Sequence, residues 1–125
     1  MIIDSGLLHS LVVALRRMTG GFGNELAVAW PVLSTRIGEP IISAVGSDRH
    51  VRVLPERVFG YALRVGAVGV VLAHNHPTSK GPSRADQAVT RRLVATGHVL
   101  GVPLVAHLVV EQDAVYELVG DRSLS

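Results

Sequence analysis

The stretch VGVVLAHNHPTSKGPSRAD, residues 68–86, decides how this chain is read. Its first six residues form an unbroken apolar run with β-branched side chains, which predicts a strand buried on both faces. Polar groups arrive at the C-terminal end of that run as His74-Asn75-His76, and Pro77 then turns the chain away. A short loop leads to Ser83, which with Asp86 three residues later matches a helix N-terminus. Residues two apart on a strand point to the same side, so His74 and His76 present two imidazoles to one point. Asp86, in the first turn of the helix, returns to that point. Two His, one carboxylate and an open fourth position make a catalytic zinc arrangement, in which a bound water is acidified to a pKa of about 7. The same spacing has a plainer reading: one His of the pair faces solvent, and Ser83-x-x-Asp86 only caps a helix. On these residues alone both stand, and Ser83 can cap while presenting its hydroxyl beside a metal.

Outward from this stretch, helices and strands alternate. Leu8, Leu11, Val12, Leu15 and Met18 recur at helical spacing and predict a helix over 5–18, capped by Asp4 or Ser5 and ended before Gly20-Gly21. Residues 26–33 read as a strand, with Pro31 marking an edge or a bulge; 37–45 read as its partner, followed by a loop at Gly46-Ser47-Asp48. Pro55 opens a helix to about residue 65 with Val58, Phe59, Ala62 and Val65 as its stripe. Ala85, Ala88, Val89, Leu93, Thr96 and Val99 mark the inward side of the third helix. Strands over 104–110 and 115–118 flank a hairpin turn at Glu111-Gln112-Asp113. The order predicts a single α/β domain over 1–125, layered, with functional groups at the C-terminal ends of central strands.

Composition narrows the function. The chain has 125 residues, which suits one domain with its own core. The absence of Cys excludes disulfides, iron–sulfur clusters, thiol nucleophiles and Cys-based zinc sites. Net charge is only +2, all but one of the 12 basic residues are scattered Arg, and aromatics make up 4%. Nucleic-acid binding by this domain is therefore not expected. No apolar run spans a bilayer and the N-terminus lacks a signal-peptide start, so a cytoplasmic protein without membrane contact is expected.

HNHP…PSRAD resembles the zinc signature of the JAMM (JAB/MPN) metalloprotease superfamily, in which His-x-His-Pro is followed by Ser-x-x-Asp. AHNHP with PSRAD is similar to the bacterial RadC-type branch, long labelled a DNA repair protein. The likeness spans roughly 46–110, through LPERVFGYALRVGAVGVVLAHNHP before the motif and RRLVATGHVLGVPLVAHLVV after it. It implies a JAB/MPN-like, cytidine-deaminase-like fold: three layers, with a mixed sheet flanked by helices. It implies Zn2+ on His74, His76 and Asp86, and Ser83 as the hydroxyl that holds the oxyanion. The reaction implied is hydrolysis of an amide or isopeptide bond in a peptide or protein. An upstream Glu is implied as general base. Counted back from Gly46 it falls at Ile41; Glu39 lies two residues earlier on the same strand face, and a bulge near Pro40 would bring it in. Glu39 is the expected catalytic carboxylate, with Glu25 in reserve. Ala106 stands where RadC-like proteins commonly carry Asp, which would cost His107 a partner.

Two other functions compete. A zinc-binding interaction module would keep the metal and lose catalysis. A DNA-repair-associated role would need DNA contact, yet only about 20 residues precede the domain, with no helix-hairpin-helix pattern among them. The remaining polar residues read simply: His9, His50 and His98 at the surface, His107 as a core histidine with satisfied bonds, or else a group beside the site, and Trp30 as packing.

Overall fold

The computed structural model describes residues 3–20, 25–46, 53–77 and 81–120. Gly21, Gly23, Ser47, Asp48 and His50, which carried sequence readings, lie outside the described residues, as does the loop over 78–80. Among the described residues three helices and five strands follow in the order α1 (Ser5–Thr19), β1 (Glu25–Val32), β2 (Ile41–Gly46), α2 (Pro55–Arg64), β3 (Gly69–Asn75), α3 (Arg84–Leu100), β4 (Leu104–Val110) and β5 (Val115–Gly120). The sheet order is β2-β1-β3-β4-β5. Only β3 and β4 run parallel, joined by α3; every other pairing is antiparallel. The result is the expected single α/β domain with a mixed sheet between helical layers.

The two sheet faces carry separate cores. Leu8, Leu11, Val12 and Leu15 of α1 pack on Trp30 and Val71. Val58, Phe59 and Ala62 of α2 and Leu93 of α3 pack on Ala29 and Leu72 from the opposite side. Asp4 starts α1 by accepting the Leu7 N–H at 2.9 Å, and Gly20 ends it at φ 62°, where a side chain would be strained. No helix among the described residues is long and apolar enough to cross a membrane.

Several readings are corrected. Pro31 is not on an edge: β1 lies between β2 and β3. Its carbonyl accepts from Gly38 N–H at 2.8 Å, so its missing N–H points away from β3, past Ala29↔Ile41, where the β2 ladder ends. The partner strand begins at Ile41, and Ile37 makes only an isolated bridge to Val32. The inward face of α3 is also shifted. Thr90, Leu93 and Gly97 are buried, whereas Val99 is 82% exposed. Apolar spacing misleads here because the inward positions are polar or small for other reasons. A Cβ at Gly97 would stand 2.5 Å from the Val102 carbonyl oxygen, so only glycine lets the helix approach that closely. Met18 and Val65, each at the end of its helix, are exposed rather than in the stripe.

Candidate metal centre

His74 sits near the end of β3, which is held on both sides: Ala27 of β1 and Val109 of β4 are its ladder partners. His76 lies just past the strand, yet its N–H still bonds to the Val110 carbonyl at 2.9 Å and keeps the chain extended. Both imidazoles point to the α2/α3 face and are buried, at 4% and 6% exposure. Asn75, between them, points the other way and accepts the Leu26 N–H through Oδ1 at 2.7 Å. That bond ties the end of β3 to the start of β1.

Asp86 reaches the same point from the first turn of α3. Ser83 is the N-cap: its hydroxyl accepts the Asp86 N–H at 3.0 Å, and the Asp86 carboxylate accepts the Ser83 N–H at 2.7 Å. This reciprocal capping box aims the carboxylate. Its oxygens lie 3.0 Å from His74 Nε2 and 3.2 Å from His76 Nε2, and the two Nε2 atoms are 3.3 Å apart. The cap and the convergence are thus one structure rather than rival readings. Burial opposes the charged form of Asp86. The His74 imidazole and the Ser83 backbone N–H outweigh it and hold the carboxyl well below the usual carboxylate range. Ser83 is exposed, and its capping bond does not use its own O–H proton.

His74, His76 and Asp86 form a group able to hold a metal ion, each offering a ligand atom within 4.8 Å of the others. For a tetrahedral ion at 2.0–2.1 Å from each ligand, neighbouring ligand atoms stand roughly 3.3–3.4 Å apart. The observed 3.0–3.3 Å separations fit that demand.

A profile of the RadC-like JAB domain matches residues 34–122. The chain belongs to the RadC-like JAB domain family. Among curated relatives, a UPF0758 protein of Thermotoga maritima is 42% identical over 77 residues, 61% of this chain and 34% of the relative. One from Symbiobacterium thermophilum is 51% identical over 61 residues, 48% of this chain and 26% of that protein. One from Geotalea uraniireducens is 36% identical over 90 residues, 71% of this chain and 39% of that protein. The matched segment spans about a third of the length of these curated relatives.

Two carboxylates outside the triad behave differently from expectation. Glu39 lies in the segment before β2 with its side chain exposed, and its carbonyl accepts the Tyr61 hydroxyl at 2.8 Å. The bulge expected near Pro40 lies instead at Ser43, the extra residue between the Ala27↔Ala44 and Val28↔Ile42 pairs. Ile41 pairs with Ala29, itself level with Leu72, two pairs further from the metal end than Ala27 and His74. Glu25, at the start of β1, is 2% exposed. It shares the face of Ala27, and extending the Ala27↔His74 register by two pairs sets it level with His76. It lies upstream of the segment matched by the RadC-like profile.

The third carboxylate was read only as part of a turn. Glu111, just past β4, is buried; its carboxylate takes the Gly81 N–H at 2.7 Å and His76 Nδ1 at 3.2 Å. The Glu111 carboxylate accepts, so His76 carries a proton on Nδ1 and turns its Nε2 toward Asp86. Parallel pairing of Asn75 with Val110 already puts residue 111 beside His76, so this partner was readable once the register was known. His107 also has partners: His74 Nδ1 at 2.8 Å and Thr90 Oγ1 at 2.5 Å. Ala106 belongs to the opposite core, so an apolar residue there takes nothing from His107. Burial, with His74 beside it, pushes the His107 pKa down to about 3, so the ring is neutral.

Proposed function

We propose that this domain holds zinc on His74, His76 and Asp86 and hydrolyses an amide or isopeptide bond in a peptide or protein. The convergence of two buried Nε2 atoms and a carboxylate at 3.0–3.3 Å carries this reading. Nitrogen and oxygen donors without sulfur, three in number, match catalytic rather than structural zinc. Zinc so held lowers the pKa of a bound water and polarises a carbonyl.

The chain's own residues supply the rest. Glu25 takes the proton of the attacking water and passes it to the leaving amine; its support is burial on the same face, level with His76. Ser83 donates its hydroxyl proton to the oxyanion that develops on the substrate. Glu111 keeps the His76 ring in place. The test is a screen of peptide and isopeptide bonds with the purified protein, with and without a chelator. Cleavage that stops on chelation and returns with added zinc is expected. Cleavage that persists unchanged after zinc removal would overturn the reading. The expected substrate, a peptide or protein, and a cytoplasmic site of action are part of the same proposal.

A further inference from the structure

Three hydrogen bonds run from the backbone of one proposed ligand to the ring of another. Thr90 Oγ1 donates to the Asp86 carbonyl at 2.9 Å, one helical turn back. A hydroxyl has one proton, so toward His107 Nδ1 the Thr90 oxygen can only accept. His107 therefore carries its proton on Nδ1. The ring is fully buried, with Thr90 and His74 as its hydrogen-bond partners and no carboxylate bonded to it, so with the proton on Nδ1 its Nε2 is a bare lone pair. The contact between His107 Nε2 and His74 Nδ1, at 2.8 Å, then requires the proton on His74 Nδ1. His74 Nε2 is left as an acceptor, aimed at Asp86 and at His76 Nε2. Glu111 independently leaves His76 in the same state. The three converging atoms are thus all acceptors until a metal ion, or in its absence a proton shared with Asp86, lies between them.

We propose that Thr90 and His107 are positioning residues of the metal centre: the Thr90–His107 relay fixes the His74 tautomer that turns Nε2 to the metal. The same helix turn that delivers Asp86 thereby sets the donor state of His74. The inference rests on the metal-holding reading above, but the tautomer can be read without any metal.

The test compares wild type with Thr90→Val, which keeps the volume and removes the hydroxyl, and Thr90→Ser, which restores it. Long-range nitrogen–proton NMR spectra of the metal-free protein report the tautomer of each imidazole. Zinc affinity is measured by competition with a chelator, and folding by circular dichroism. Wild type and Thr90→Ser are expected to hold His74 as the Nδ1–H tautomer. Thr90→Val is expected to mix its tautomers and to lose roughly tenfold to hundredfold in zinc affinity while folded. A folded Thr90→Val protein with wild-type affinity and tautomer would overturn the relay. So would a wild-type His74 found as Nε2–H, which decides the matter even if Thr90→Val does not fold. A wild type with the stated tautomers and no zinc affinity would instead overturn the metal reading and leave the relay standing.

Discussion

The two flanks of the centre are built by different rules. On the β3–α3–β4 flank the one extra residue, Val105, lies far from the site: the ladder then runs unbroken from Val71↔Ala106 through Asn75↔Val110, and a capped helix starts at Ser83. Spacing there translates directly into direction, so His74, His76 and Asp86 meet. On the β1–β2 flank regularity breaks. An extra residue at Ser43 shifts the register, and pairing with β1 stops at Ile41. One inserted residue reverses strand alternation beyond it, so an ungapped count back from Gly46 to Ile41 does not carry a face across Ser43. β1 itself has no insertion, and it carries Glu25 to the metal end. Backbone regularity, more than residue chemistry, thus decides where a sequence pattern can be trusted.

The largest expected effect separates the two flanks' carboxylates. Glu25→Gln should lower turnover about 10²- to 10⁴-fold with zinc retained, while Glu39→Gln stays within about twofold. Kinetics and metal content measured on both variants check this. The reverse ranking would return the base to the segment before β2.

Within the regular flank, Asp86→Asn tests whether one residue really serves both cap and metal. Asn keeps a carbonyl oxygen able to accept the Ser83 N–H, so the capping box and the start of α3 should survive the change. Zinc affinity should fall at least tenfold, because the anionic ligand is gone. Chelator competition beside thermal unfolding separates the two roles. Unchanged affinity would reduce Asp86 to a cap.

Acid should strike the regular flank of the metal-free protein. The unfolded chain protonates His107 near pH 6.5, the folded chain only near about 3. Between these values the unfolded state binds more protons, so stability falls as pH drops. Asp86, held below its ordinary value of 3.8, adds a further loss as pH falls through that value. At roughly one to two kcal/mol per pKa unit, the His107 shift alone accounts for several kcal/mol. His107→Gln should flatten the slope above pH 4 in urea titrations; an unaltered slope would contradict the assignment.

The smallest effect belongs to the bulge. Ser43 is buried and its hydroxyl donates to the Ala27 carbonyl at 3.0 Å. Ser43→Ala should cost about 1 kcal/mol in urea unfolding, without changing zinc affinity. A change in affinity would couple the two flanks.

Much of this was legible in the residues. The strand over 104–110 falls where its apolar run places it. Helix α1 starts at its Asp4 cap and α2 at Pro55 because local rules govern helix starts. The β4–β5 hairpin was visible, but the purpose of Glu111 was not, since its partner His76 is distant in sequence and the parallel register is a tertiary fact. Thr90 was overlooked for a related reason. It is a polar residue on a helix face read by apolar spacing, and its worth depends on His107 across the layer.

The central claim is that three acceptors converge because a metal belongs between them. Elemental analysis of protein expressed without a metal-affinity tag tests it most directly. About one zinc per chain is expected in the wild type, and close to none in His74→Ala or His76→Ala. Equal zinc in wild type and both variants, or none in a folded wild type that also takes up none on addition, would contradict it.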